Sequence, residues 1–134
     1  MDKLSYLILR LGVGLSLFGH GLVRLPKLQA FSAWMVTSFE KSMLPKLLVI
    51  AFSYALPIIE FTVGLLLIFG MLTKQAILVA ALSLLALILG TTLIENWDAL
   101  PSQLIHIGFL ALLFQFMSSN AYSLDGAIGN TSKS

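Results

Sequence analysis

The sequence predicts an all-α integral membrane protein, an antiparallel bundle of four transmembrane helices with an interfacial helix between spans one and two. Two observations carry that prediction. Hydrophobic residues make up 58% of the 134-residue chain and charged residues only 10%, with a mean hydropathy of +0.97, whereas soluble domains carry about a quarter charged residues. So much apolar surface exceeds what a water-soluble core can bury. The apolar residues also gather into segments that approach the about twenty residues needed to cross roughly 30 Å of hydrocarbon at about 1.5 Å per residue. These lie at about 4–23, 47–69, 75–94 and 103–117, the last the shortest. Helices are required because hydrocarbon offers no water to unpaired backbone groups.

The first segment follows Met1-Asp2-Lys3 and contains Arg10, and no small-x-small cleavage site ends it. It therefore reads as a span rather than a leader. The linker 24–46 is bracketed by Pro26 and Pro45, and within it Phe31, Trp34, Met35, Ser38 and Phe39 keep the i, i+3, i+4 rhythm of a helix with one apolar face. An interfacial helix is expected there, the alternative being a loop folded over the bundle mouth. Met71-Leu72-Thr73-Lys74 is a tight turn, and Asn96-Trp97-Asp98-Ala99-Leu100-Pro101 turns the chain before span four, with Trp97 suited to an aromatic belt. The tail 118–134, rich in Ser, Asn and Gly, is expected to be partly disordered at its end. An even number of spans places both termini on one side. Basic residues fall on both sides, so charge alone does not orient the chain.

Several functions are excluded at this level. The chain has no cysteine, which removes disulfides, iron–sulfur clusters, thiolate zinc sites and thiol catalysis, so redox chemistry needs a borrowed cofactor. The net charge of +2 comes from scattered groups with no basic run, so nucleic acid is not an expected partner. Membrane lipid is, and a bundle with no soluble domain suggests a protein partner or a second copy of itself.

An ionisable side chain within a span costs about 2.5–3.5 kcal/mol even on insertion scales, so such groups are paired or functional. Arg10, His20, Glu60 and His106 stand out. Counted from the ends of their spans, Arg10 and Glu60 fall at similar depth, about 9 and 13 Å from the terminal side, so an ion pair is expected, serving either helix register or the floor of a cavity. Pro57, one turn before Glu60, opens the second helix locally. His20 and His106 share a level near the opposite side. Singly each is satisfied by water or backbone; together they suit the carbonyls of a quinone, a proton relay, or alternatively the iron of a b-type haem. Arg10, Gly14 and Gly21 share a helix face that should look into the bundle.

Arg10-Leu11-Gly12 with Gly19-His20-Gly21 in span one, the run from Pro57-Ile58-Ile59-Glu60 to Gly70-Met71-Leu72-Thr73, and the ending Tyr122-Ser123-Leu124-Asp125 together resemble the DoxX-like four-helix membrane proteins, which include the small subunit of thiosulfate:quinone oxidoreductase. The resemblance implies a left-handed four-helix bundle in the bacterial inner membrane with both termini cytoplasmic. It also implies a subunit tied to quinone-linked oxidation or to a complex with a redox partner. Arg10, His20, Glu60 and His106 are then the candidate quinone-binding residues, and a non-catalytic adaptor that anchors a partner is the alternative.

Overall fold

The computed structural model describes residues 1–131 and is helical throughout, with no strand among the described residues. In order, α1 is Lys3–Arg24, α2 Leu28–Ser38, α3 Lys46–Phe69, α4 Thr73–Leu93, α5 Leu100–Gln115 and α6 Leu124–Thr131, with single 3-10 turns at Leu25–Lys27 and Met117–Ser119. The helices at α1, α3 and α4 are long and apolar enough to cross a membrane, and α5 is a shorter apolar helix of 16 residues. The chain is a multi-pass membrane protein, and large apolar side chains such as Ile8, Leu82 and Leu104 face outward where lipid receives them.

Antiparallel packing of α1 on α3 organises the molecule. Gly14 abuts the backbone of Gly64 and Ile68, Gly64 abuts Phe18, and Gly21 abuts Phe61. A β-carbon at Gly21 would stand 2.4 Å from the Phe61 nitrogen, and one at Gly64 would stand 2.3 Å from the Phe18 nitrogen. Small residues let the two backbones touch, the packing that hydrocarbon favours because it offers helices no hydrophobic drive to associate. The buried face of α1 is Tyr6, Arg10, Val13, Gly14, Leu17 and Gly21, which contains the face expected from the sequence. Tyr6, Leu17, Val63, Leu67, Ile77, Leu110 and Leu113 form the core between α1, α3, α4 and α5. At one edge α5 closes against α1 through the Tyr6 hydroxyl, which donates to the Leu113 carbonyl at 2.8 Å.

The linker helix exists as α2. Ser32 and Met35 are buried, whereas Trp34 is 56% exposed and stacks on Phe31. The Ser32 and Ser53 hydroxyls pair at 2.7 Å between α2 and α3, and Phe39 fills the space left by Gly90 of α4. Pro57 lies inside α3, which continues unbroken past it.

The first part of the tail is bound to the bundle. Arg10, 2% exposed, donates to the Leu67 carbonyl at 2.9 Å, the Asn120 side-chain oxygen at 2.6 Å and the Tyr122 carbonyl at 2.9 Å. Asn120 reaches Thr73, and Asp125 accepts the N–H groups of Leu72 and Thr73 at 2.9 and 2.8 Å. Gly70, at φ +67°, turns the chain under Ser123 where a β-carbon has no room. This latch binds the start of α6 to the turn between α3 and α4. The last residues, on which disorder was expected, lie outside the described residues.

Burial pushes the Asp125 carboxyl up, but hydrogen bonds from Thr73 and Leu72 and the field of Arg10 outweigh it and hold the group below the ordinary carboxylate value. A lowered pKa in the folded state contributes stability that is present above about pH 4 and is lost as pH falls through the lowered value. Protection factors across residues 120–131, corrected for the intrinsic pH dependence of exchange, should therefore fall in acid, and Asp125→Ala should lower them in the same way at neutral pH. In the core, Gly21→Leu and Gly64→Leu should each destabilise the protein by about 1–3 kcal/mol through overpacking. Gly12→Leu, with nothing within 4 Å of its β-carbon position, should leave the unfolding midpoint nearly unchanged.

Candidate functional site

The four ionisable residues do not form one cluster. Arg10 belongs to the latch at the end bearing the termini. Glu60 pairs with Arg24 at the other end, the guanidinium Nη1 contacting its carboxylate oxygens at 3.1 and 2.9 Å. The expected Arg10–Glu60 pair is absent, for a reason of register. Gly14 lies level with Leu67, and Gly21 with Phe61, which sets Arg10 beyond the last turn of α3 and Glu60 beside the last turns of α1. Counting depth from the helix ends treated those ends as coplanar, but α1 reaches about ten residues further toward the terminal side than α3 does. From Arg10 to Arg24 is about 21 Å along α1.

His20, Glu60 and His106 do come together. The two imidazoles approach to 6.2 Å between ring centroids, edge to face at 86°, and both lie near enough to Glu60 to act on its charge. Arg24 completes the group by extending α1 one turn beyond His20 and packing over the Phe31 ring at 4.6 Å, which couples the ion pair to α2. Arg24 sat among the loop charges in the sequence; the signal that finds it is its i+4 relation to His20.

Ser16 was not singled out from the sequence, yet it joins the two histidines. Its hydroxyl lies 2.7 Å from His106 Nε2, and its carbonyl lies 2.6 Å from His20 Nδ1. His106 Nδ1 in turn lies 2.8 Å from the Ser102 carbonyl. Its sequence signal is position: Ser16 stands four residues before His20, on the helix stripe of Gly12 and Gly19.

These groups head a lateral groove. Between α1 and α5 lies a space of about 380 Å³ lined by Ile8, Leu9, Gly12, Val13, Ser16, Ile105, His106 and Phe109, and a shallower surface over Ser16, Gly19 and His20 continues it. Gly12, Gly19 and Gly108 have no atom within 4 Å of where a β-carbon would stand, so the seam that α1 closes against α3 stays open against α5. The groove is apolar along its length and polar at one end, the form that takes an amphiphilic ring with a hydrocarbon tail. A planar ring carrying oxygen atoms fits Ser16, His20 and His106 as partners. Axial ligation of a haem iron fits less well, because the Ser16 hydroxyl already occupies His106 Nε2. Among the described residues no group of three His, Cys, Asp or Glu side chains is arranged to hold a metal ion.

Deeper in the wall, Glu60 borders a space of about 10 Å³ with Leu17, Leu56, Val63 and Leu84, the size of one water molecule. Gln103 donates to the Thr91 hydroxyl at 2.9 Å, and its own side-chain oxygen is buried with no hydrogen-bond partner.

Breaking the Arg24–Glu60 pair from one side should be the costly change. Glu60→Gln is expected to destabilise the protein by about 2–3 kcal/mol, less than the ~3–5 kcal/mol of a fully buried pair because Arg24 is partly exposed. The double variant Arg24→Gln with Glu60→Gln should recover part of that loss in a double-mutant cycle.

Comparison with known proteins gives one match. The family model described as DoxX covers residues 5–97, a stretch that holds Arg10, Ser16, His20, Arg24 and Glu60 and ends before His106. No curated protein and no solved structure matches the chain.

Proposed function

Since the chain belongs to the DoxX family, we propose that it is an inner-membrane subunit that binds a quinone between α1 and α5 and serves a redox complex with a protein partner. The observation that carries this reading is the convergence of Ser16, His20 and His106 at the polar end of an apolar groove open to lipid. In that reading α5 is the fourth span, and both termini face the cytoplasm of a bacterium, as the family resemblance implies.

A quinone carries two electrons and two protons, which no side chain of this chain can store as a redox centre. The residues here supply the rest. Ile8, Leu9, Ile105 and Phe109 exclude water and hold an apolar ring and tail. The Ser16 hydroxyl oxygen and His20 Nε2 offer hydrogen-bonding lone pairs at the ring, and an imidazole can hold or release a proton there. Glu60 is held by Arg24 at 2.9 Å, and the pair sets the electrostatic field beside the histidines. Electrons come from the partner, since the chain has no redox group of its own.

A non-catalytic adaptor is the second reading. It is favoured by the apolar side chains left exposed around the linker, Trp34 on α2, Met43 after it and Leu47 at the start of α3. The two readings separate on the lipid extracted from gently purified protein. A quinone subunit should carry near-stoichiometric quinone by mass spectrometry, and Gly12→Leu, which fills the groove, should lower it at least tenfold while the fold persists. His106→Ala should lower it as well. Wild-type protein free of quinone, with no binding on titration, would overturn the quinone reading in favour of the adaptor.

A further inference from the structure

Hydrogen-bond chemistry at the groove head distinguishes between the two redox forms of a quinone. A backbone carbonyl only accepts, so the ring nitrogens facing one must carry the hydrogen. His20 Nδ1 faces the Ser16 carbonyl at 2.6 Å and His106 Nδ1 faces the Ser102 carbonyl at 2.8 Å. Both neutral imidazoles are therefore the Nδ1–H tautomer, with a bare lone pair at Nε2. His106 Nε2 uses its lone pair to accept the Ser16 hydroxyl at 2.7 Å, which also occupies the one hydrogen that Ser16 can donate. His20 Nε2 has no partner among the described residues, and His20 is exposed along the surface that continues the groove. Glu60, the carboxylate that the rings neighbour, is paired with Arg24 at 2.9 Å.

Resting on the quinone reading above, we propose that this site selects the hydroquinone over the quinone, with a ligand hydroxyl donating to His20 Nε2. Quinone oxygens are acceptors, and the neutral groove head offers them no free donor. A hydroquinone hydroxyl is a donor and meets an unoccupied acceptor. The consequence is thermodynamic: a site that holds the reduced form more tightly raises the midpoint potential of the bound couple, by about 30 mV for each tenfold of preference in a two-electron couple. The bound quinone becomes an easier acceptor for electrons from a partner, while release of the hydroquinone to the pool becomes harder by the same free energy.

The test is a binding titration of the full chain in lipid nanodiscs with a decyl-tailed benzoquinone and, anaerobically, its hydroquinone, at about pH 8 where imidazole is ordinarily neutral. One net hydrogen bond should give the hydroquinone about a fivefold to tenfold advantage. His20→Phe removes the acceptor and should bring the ratio to about one while both forms still bind. Ser16→Ala frees the His106 lone pair and should widen the preference. Equal or tighter binding of the quinone, or a preference that His20→Phe leaves unchanged, overturns the inference and leaves the quinone reading standing. Failure of both forms to bind overturns both.

Discussion

The close contact of α1 with α3 governs the rest of the molecule. Two helices in hydrocarbon gain little from hiding apolar surface, so they associate where their backbones can approach. Here Gly14, Gly21 and Gly64 permit that approach. Because each glycine meets a defined backbone segment, the contact sets the register along the whole pair. Register then decides which polar groups meet. Arg24 reaches Glu60, and Arg10 is carried past the end of α3, where only carbonyls and the tail can satisfy it.

That division gives the two ends different chemistry. At the terminal end the cation is met mainly by neutral acceptors, and each named donor contact is short. Such a site is a clasp, because every group in it is already engaged and the tail is the element it holds. At the other end the charges cancel in a pair, and the neighbouring groups are two imidazoles and a hydroxyl. Imidazole is the side chain that ordinarily exchanges protons near neutrality, and one ring lone pair is unused. A site for a ligand needs such a remainder; the Arg10 clasp has none among the contacts it makes.

Much of the fold was legible because hydrophobic length and periodicity are properties of single segments. The helices fall close to the apolar stretches, and the inward face of α1 follows from the spacing of Arg10, Gly14 and Gly21. Pairing between segments was less legible. The level shared by His20 and His106 survived, since both lie near the same loop-side ends of their helices. The Arg10–Glu60 pair did not, since α1 overhangs α3 and no local pattern records an overhang. For α2, periodicity gave an apolar face but not its orientation: a helix at a membrane boundary has two apolar environments available, and Trp34 is left exposed. Ser16 was hidden because a lone serine in an apolar helix usually bonds its own backbone, and its role depends on what α5 brings across.

The same residue type thus serves opposite purposes on two sides of α1. Toward α3, glycine removes side chains so that backbone fills the space, and substitution collides with Phe61 or Phe18. Toward α5, Gly12 and Gly19 remove side chains and nothing fills the space. Close packing on one face makes the helix rigid enough to leave the other face open, since α1 held in register by α3 does not need α5 along its full length. Contact with α5 concentrates at Tyr6–Leu113 and Ser16–His106, and the groove lies between these two contacts. The polar one is therefore both the clasp that keeps the groove from spreading and the end at which a ligand meets hydrogen-bonding groups, so occupancy of the groove and the Ser16–His106 bond are coupled by geometry.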